Sequence, residues 1–344
     1  MALQASGQIK YSEIIAEFGT PNSGGIGEYR ISENVGSLSN LPLDIGVPQS
    51  GQIKFSDFYS KRLNQVVDLY SIGNNTSRQD AKDRWNTGNV HVVGSTKTTK
   101  TQPPDTTDDR VIINVNNTIS SVKGTQTHCA LKTGNWDSGT VLVIEIGTSG
   151  KLYGSGGDGG TGGSANETAG TDGQTGSSAL GIEYPCSINN LGVIQSGYGG
   201  GGGGGGNTRT TGGGKKSGAT TNGSSGGGGG GGAGLPAGDG GGVQTPLAVG
   251  GGTAGSAGAA GSLSNLVSGA GTGGAGGTEA GNGGNASAVN NSATKADDGT
   301  SPSGAAGGGT GGNNGYAIIT NQGSAPSVTG NSATGRIITS TNPT

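Results

Sequence analysis

Glycine at every third position is the feature that most limits how this chain can fold. The spacing recurs in separate segments at 154–163, 170–176, 252–261, 271–277 and 308–312. Uninterrupted glycine runs fill 199–206 and 226–232. A period of three belongs to the polyproline-II type of helix, which makes no hydrogen bonds within itself, so its amides need partners on neighbouring segments. The spacing therefore predicts a bundle of such helices over 151–320.

The glycine pattern also predicts which helices lie inside the bundle. Glycine at a facing position lets two backbones approach closely, so Gly-Gly-X segments are expected outside and all-glycine runs in the centre. Collagen would need unbroken Gly-X-Y triplets and far more than 11 prolines. A flexible linker is the plainer alternative. However, the motif Ile-x-x-x-Gly-x-aliphatic occurs twice, at 146–152 before the first glycine segment and at 188–194 before the octaglycine. A flexible linker would not repeat the sequence that leads into it.

Composition narrows the classes of function. The 344-residue chain has 80 glycines, 28% hydrophobic residues and a net charge of −3. Because no basic stripe is present to bind phosphates, we expect no nucleic-acid partner. No run of about 18 apolar residues and no export signal is visible, so we expect synthesis in the cytoplasm. Cys129 and Cys186 are too few for a disulfide framework.

Residues 1–63 contain an internal repeat. Ser-Gly-Gln-Ile-Lys-Tyr-Ser-Glu-Ile at 6–14 recurs as Ser-Gly-Gln-Ile-Lys-Phe-Ser-Asp-Phe at 50–58. In the first copy a short strand is expected, followed by a helical turn capped by Ser12 and ending at Gly19. Each copy is too small to fold alone, so we expect both to dock onto other copies of the chain or onto a partner. The docking side chains are expected to be Ile9, Tyr11, Ile53, Phe55 and Phe58.

A small α+β domain is predicted over 64–150. β-Branched runs indicate strands at 90–93, 111–115 and 141–146. A helix is expected with Ser77 as its N-cap and Gly88 at its end. Trp85 and Trp136 are expected in the core. The predicted fold class is therefore mostly irregular and β, with a small α+β domain followed by the glycine-rich bundle and a C-terminal tail over 321–344.

Motifs for chemistry are weak. The segment 212–217 is similar to a phosphate-binding loop but lacks Ser or Thr after Lys215. His128 beside Cys129 indicates a buried strand pair rather than a catalyst. The aspartates within 105–109 are expected in a solvated turn rather than as glycosidase carboxylates or calcium ligands. We expect no enzyme activity, no cofactor and no metal.

The order of the motifs resembles a known family. Leu-Tyr-Gly-Ser-Gly-Gly-Asp-Gly-Gly at 152–160, Ile-Asn-Asn-Leu-Gly-Val-Ile at 188–194, the octaglycine, and Gly-Tyr-Ala-Ile-Ile at 315–319 are similar to the glycine-rich, polyglycine-II domain of bacteriophage tail-fibre and tail-tip adhesins. The N-terminal repeats resemble modules of phage virion structural proteins. The resemblance implies a virion location in a tail fibre, tail tip or baseplate, with other tail or baseplate proteins as partners. It also implies a homo-oligomer, with a trimer as the expected state, although no counterpart of the fibre-tip attachment domain of T-even tip adhesins is visible.

Binding is expected at loops between the glycine helices. If the helices alternately leave and return to the strand at 141–146, the loops at 164–169, 207–225, 262–268 and 285–303 share one distal end, and 235–249 lies at the base. Their long side chains are the predicted contacts with a host cell-surface receptor, a glycan or an outer-membrane protein. These predicted contact residues are Asn166, Arg209, Lys215, Lys216, Leu263, Leu266 and Lys295.

Two other functions stay open at this stage. One is a purely structural virion component, such as a head fibre or a tail spacer. The other is a depolymerase acting on host polysaccharide. The second is disfavoured because the glycine region lacks paired carboxylates and because the long three-sided β-helix of tailspikes would need many more β-branched residues.

Overall fold

The computed structural model describes most of the chain. The described residues are 3–20, 25–30, 32–35, 38–42, 47–48, 50–62, 64–68, 76–87, 90–92, 110–165, 168–211, 220–244, 256, 258, 261, 271–276, 280–286, 294–299 and 306–344. Strands and irregular segments dominate and helices are few, as predicted.

The N-terminal module packs the two repeats together. It contains α1 (Tyr11–Phe18), 3-10 turns at Ile26–Arg30 and Phe55–Phe58, and the antiparallel pair β1 (Ser32–Val35) and β2 (Leu38–Pro42). The repeats have matching local structure. In the first copy the Lys10 amide donates to the Glu13 carboxylate at 2.7 Å, and in the second the Lys54 amide donates to Asp57 at 2.7 Å.

The start of α1 corrects the predicted cap. The N-cap is Lys10 rather than Ser12, because the acid at the third helical position accepts the amide of Lys10. Ser12 therefore lies inside the helix. The predicted end at Gly19 is confirmed, with a φ of 91° that favours glycine.

The module has its own core, which changes the prediction for the docking residues. Ile9 and Phe58 are buried, with 8% and 0% of their surface exposed. They pack with Ile14, Phe18 and Tyr29. Tyr11 and Ile53 are half-buried, and Phe55 is 45% exposed. The prediction that Ile9 and Phe58 dock onto another chain is therefore wrong, because these two side chains are buried in a core that both repeats form. Docking by Tyr11, Ile53 and Phe55 stays a prediction.

The rest of the chain is organised by three parallel sheets. In chain order the further elements are β3 (Asn64–Asp68), β4 (Thr76–Ser77), β5 (Gln79–Asp80), α2 (Ala81–Asn86), β6 (Val90–Val92), β7 (Arg110–Val115), β8 (Thr118–Ser120), β9 (Cys129–Lys132), β10 (Val141–Ile146), β11 (Lys151–Tyr153), β12 (Ser178–Ile182), β13 (Cys186–Asn190), β14 (Val193–Gln195), β15 (Asn207–Thr211), β16 (Thr220–Ser224), β17 (Tyr316–Thr320), β18 (Ser327–Gly330) and β19 (Arg336–Ile338).

These strands form a short three-sided parallel β-helix. The first sheet is ordered β18-β13-β10-β7-β3, with β6 added antiparallel at its edge, the second β14-β11-β8-β4, and the third β19-β17-β12-β9-β5. Successive strands visit the three sheets in the same order, so the chain makes repeated coils. In the last coil a bridge between Gln195 and Thr334 takes the place of a strand on the second side.

Aliphatic side chains stack inside the β-helix from coil to coil. Because neighbouring strands are in register, each side contributes a column of buried residues. The columns are Ile113, Ile144 and Ile188; Ile119, Leu152 and Ile194; and Leu131, Leu180 and Ile318. Only a long β-helix was disfavoured on sequence grounds, and this short one, which needs only one or two inward aliphatic residues on each side, was not predicted.

The sheets do not end at residue 150. β12 and β13 pair in parallel with β9 and β10 of the predicted 64–150 domain. β17 pairs with β12, and the predicted tail contributes β18, which pairs with β13, and β19, which pairs with β17. Helix α2 begins at Ala81 with Asp80 as its N-cap, since the Asp80 carboxylate accepts the amides of Lys82 and Asp83. The predicted cap, Ser77, instead lies in β4, and Gly88 lies outside the described residues.

One corner of the β-helix accounts for the glycine-rich region. Between the second and third sides, the first coil has the single residue Arg78 and the last has Gly335, with φ of 46° and 126°. The second coil has a loop at 121–128, which we call the corner loop. The third and fourth coils have 154–177 and 196–315 at the same corner. The glycine bundle is therefore two insertions into adjacent coils.

Candidate functional site

The glycine insertions form segments joined side by side by backbone hydrogen bonds. We number them in chain order as segments 1 (154–163), 2 (168–177), 3 (197–206), 4 (226–233), 5 (236–242), 6 (described at 256, 258 and 261), 7 (271–276), 8 (280–286), 9 (294–299) and 10 (306–315). Bonds between two segments recur every third residue. For example, the amides of Gly157, Gly160 and Gly163 donate to the carbonyls of Tyr198, Gly201 and Gly204, each at 2.8 Å.

The two all-glycine runs lie in the centre. Segment 3 bonds to segments 1, 2, 4, 8, 9 and 10, and segment 4 bonds to segments 1, 3, 5, 6, 7 and 8. Side chains do not fit there. A Cβ at Gly202 would lie 2.0 Å from the Gly309 carbonyl oxygen, whereas ordinary contacts are 3.4–4 Å. The central position of these runs agrees with the expectation from their sequence.

Polar side chains of the outer segments bond to amides of their neighbours. Asp172 accepts the Thr310 amide at 2.6 Å, and Asn285 accepts the Gly273 amide at 2.9 Å. Asp298 accepts the Gly308 amide at 2.8 Å. Hydrogen bonds from Thr310 lower the pKa of Asp172. The pKa of Asp298 is lowered mainly by the hydrogen bond from the Lys295 ammonium and to a smaller extent by the hydrogen bond from the Gly308 amide. The third position of the repeat therefore supplies acceptors as well as solvent-facing groups.

Segment directions decide which connections share an end. Segment 1 leaves the β-helix after β11, and segments 3 and 5 run parallel to it. Segments 2 and 4 run antiparallel to it, and segments 6 to 10 continue the alternation. Segments 1, 3, 5, 7 and 9 therefore end, and segments 2, 4, 6, 8 and 10 begin, at the far end of the bundle, opposite the β-helix. We call this the distal end.

The directions correct part of the predicted path. The segment 236–242, predicted at the base, runs outward, because Gly156, Gly159 and Gly162 donate to the carbonyls of Pro236, Asp239 and Gly242 in parallel order. The following segments are therefore reversed. Segment 6 returns instead of leaving, and segment 7 leaves instead of returning.

The reversal changes where the predicted loops begin and end. The described residues beside 262–268 are Gly261 and Gly271, whose amides bond to Gly238 and Gly231 near the base rather than the distal end. Segments 8 and 9 meet at the base for the same reason, so the predicted distal loop at 285–303 begins there. Sequence reasoning missed segment 5 because its three-residue spacing is repeated only once, from Gly238 to Gly241, and missed segment 9 because it has a single glycine, Gly299. In segment 9 the inward position is the buried Ala296, which donates to the Gly309 carbonyl.

A β-hairpin stands at the middle of the distal end. Strands β15 and β16 pair antiparallel from Asn207 opposite Ser224 to Thr211 opposite Thr220. They continue directly from the two central segments. At the base of the hairpin, buried Asn207 accepts the Ser224 amide at 3.2 Å. The hairpin is therefore anchored in the most densely packed part of the bundle.

The predicted contact residues have different positions. Arg209 lies in β15, paired with Asn222. Lys295 is not in a distal loop. It lies within segment 9 and pairs with Asp298 at 2.8 Å. The remaining predicted contacts, Asn166, Lys215, Lys216, Leu263 and Leu266, lie outside the described residues. The role of all seven in binding stays a prediction.

The described residues carry no group of three or more His, Cys, Asp and Glu side chains arranged to hold a metal ion. In the same part of the chain, no helix has the length and apolar character needed to cross a membrane. Trp85 and Trp136 are buried in the β-helix core as predicted, with ring centroids 5.6 Å apart.

Comparison with protein-family models gives no match, and comparison with curated proteins gives none. The chain is similar to a solved structure, the gp37-gp38 adhesin tip complex of the bacteriophage S16 long tail fiber. The identity is 19% and the TM-score is 0.37, over 98% of this chain and 99% of that chain. A TM-score of this size does not by itself establish a shared fold.

Proposed function

We propose that the chain is a non-enzymatic adhesin in the tail fibre, tail tip or baseplate of a tailed bacteriophage. In this proposal the distal end of the bundle binds a host cell-surface receptor, a glycan or an outer-membrane protein. The observation that carries it is the alternation of the ten segments, which places five of the turns between segments at the end opposite the β-helix. Loops on a rigid scaffold are the usual place for binding residues.

The bundle suits presentation of loops. We read its three-residue period and its lateral hydrogen bonds as polyglycine-II helices. Backbone groups that are bonded on several sides cannot rearrange easily, so the loops lose little conformational entropy when they bind. The hairpin β15–β16 is the first candidate for contact because it leaves from the centre.

The decisive experiment replaces 207–225 by a Gly/Ser linker of equal length. We expect phage particles to assemble normally and to lose adsorption to the host. The matched control replaces 262–268, whose neighbours lie at the base, and is expected to leave adsorption unchanged. If the first replacement has no effect, the receptor is bound by the other connections or by the β-helix.

The N-terminal module is proposed to attach the protein to other tail or baseplate proteins, with a homotrimer as the expected assembly. Tyr11 and Phe55 occupy equivalent positions in the two repeats, and their rings pack edge to face with centroids 6.4 Å apart. Since Phe55 is 45% exposed, this pair offers an apolar surface. Deleting 1–63 is expected to yield a soluble chain that is absent from virions. Incorporation of the truncated chain at normal levels would contradict this attachment.

A further inference from the structure

The bundle is joined covalently to the β-helix at one corner only. The chain crosses between them at residues 153–154, 177–178, 195–196 and 315–316, all between the second and third sides. A body attached along one edge can rock about that edge unless a second contact prevents it. The corner loop at 121–128 belongs to the neighbouring coil and lies beside these crossings.

Lys123 of the corner loop bonds to two glycine segments at once. Its ammonium lies 2.6 Å from the Asp158 carboxylate in segment 1 and 2.8 Å from the Asp239 carboxylate in segment 5. Asp158 also accepts the Asp239 amide at 2.7 Å. The two carboxylates are brought together beside one cation, which offsets their mutual repulsion.

Other residues of the corner loop reach further segments. The Gln126 side-chain amide donates to the Asn314 carbonyl in segment 10. The Thr175 hydroxyl of segment 2 donates to the Gly124 carbonyl at 3.5 Å. The loop thus contacts segments from both insertions, on the side of the bundle that faces the second coil.

We infer that the corner loop sets the orientation of the bundle relative to the β-helix, with Lys123 as the positioning residue. Partly exposed ion pairs contribute little to stability, and the lateral hydrogen bonds of the bundle do not involve Lys123. Its removal therefore broadens the range of angles between the two regions without unfolding either one. The inference does not depend on what the distal end binds.

The test is a distance measurement in the full chain. Spin labels are placed on the exposed Leu191 of the β-helix and the exposed Ala169 near the distal end, through Leu191→Cys and Ala169→Cys in a Cys186→Ala background. Lys123→Met is expected to widen the distribution of distances, and Lys123→Arg to restore the original width. The control Lys151→Met, at an exposed lysine of β11, is expected to leave it unchanged. Asp239→Ala, which removes one carboxylate, is expected to cause a smaller widening.

Amide hydrogen exchange separates orientation from folding. We expect the amides of segments 3 and 4 to keep their protection in Lys123→Met. Loss of that protection would overturn the inference, since Lys123 would then support folding of the bundle. An unchanged distance distribution in both Lys123→Met and Asp239→Ala would overturn it as well.

Discussion

The β-helix and the glycine bundle bond their backbones to neighbours in different ways. In the β-helix, aliphatic side chains fill the space between three sheets, and the columns of Ile113 and Ile119 are fully buried. In the bundle, backbones touch each other directly, and the central runs 199–206 and 226–232 have no side chains. In the β-helix core, a substitution is therefore tolerated according to the volume of the new side chain. In the central all-glycine runs of the bundle, no side chain is tolerated at all.

The largest effect is expected from Gly202→Val in segment 3. The added atoms would overlap the Gly309 carbonyl, so several segments would have to separate. We expect the free energy of unfolding of the bundle to fall by more than about 4 kcal/mol, which is exceptional for a single substitution. Hydrogen exchange would show this as fast exchange of amides throughout the bundle. The near-ultraviolet signal of the Trp85–Trp136 pair is expected to persist, because an unfolded insertion adds little loop-closure cost. Thr161→Val, on an outer segment, is the control, and normal protection in Gly202→Val would refute close backbone packing.

A smaller effect is expected in the β-helix core from Ile144→Ala. Ile144 is fully buried between Ile113 and Ile188, so truncation leaves a cavity and costs about 2–5 kcal/mol in the free energy of unfolding. Denaturant unfolding followed by tryptophan fluorescence measures it. Val141→Ala in the same strand is the control, since Val141 is 41% exposed and its truncation should cost about 0.5 kcal/mol or less. Equal losses in the two variants would mean that β10 does not line the core.

A local effect is expected from Asp172, which accepts the Thr310 amide. Hydrogen bonds from the Thr310 side chain and amide lower the pKa of Asp172 below its ordinary value of 3.8. Their contribution is therefore present above the unfolded value and is lost as pH falls through the lower folded value. Asp172→Ala is expected to accelerate exchange of the Thr310 amide at neutral pH without changing the central amides. Asp172→Asn keeps an acceptor oxygen and should remove the pH dependence. Unchanged Thr310 exchange in Asp172→Ala would show that the bond contributes nothing.

The smallest effect is expected at the one-residue corners. Arg78 has a φ of 46°, in the left-handed region where a side chain costs about 1 kcal/mol relative to glycine. Arg78→Gly is therefore expected to raise the melting temperature slightly. Gly335→Ala is expected to lower it, since a Cβ there would lie 2.5 Å from the Ser196 hydroxyl. A drop in the melting temperature of Arg78→Gly would mean that the Arg78 side chain stabilises the corner more than its backbone strain costs.

Some features were predictable because they depend on local pattern. The strands at 111–115 and 141–146 are confirmed, as is the end of α1 at Gly19. The β-helix was missed because its strands are short and carry few inward residues, so they look like those of a small α+β domain. The buried positions of Ile9 and Phe58 were missed because a repeat shows two similar units without showing that they cover each other.

At the candidate site, sequence reasoning placed 207–225 between two adjacent all-glycine runs, and the structure has the hairpin at the distal end. It placed 262–268 and Lys295 there as well. The expectations for 262–268 and Lys295 depended on counting every segment, because segments alternate in direction. One outward segment that is not counted reverses the direction assigned to each segment after it. Segment 5 was that segment, with its spacing shown only by Gly238 and Gly241.

The sequence by itself determined that the glycine-rich segments have no conventional core and that 199–206 and 226–232 take the most crowded places, because only glycine allows backbones to approach on every side. The tertiary structure alone decided which segments are neighbours and which way each one runs. The physical reason is that glycine has no side chain with which to specify a partner, and a backbone amide can bond to a parallel or an antiparallel neighbour. That choice depends on the lengths of the connections and on the β-helix corner from which both insertions begin.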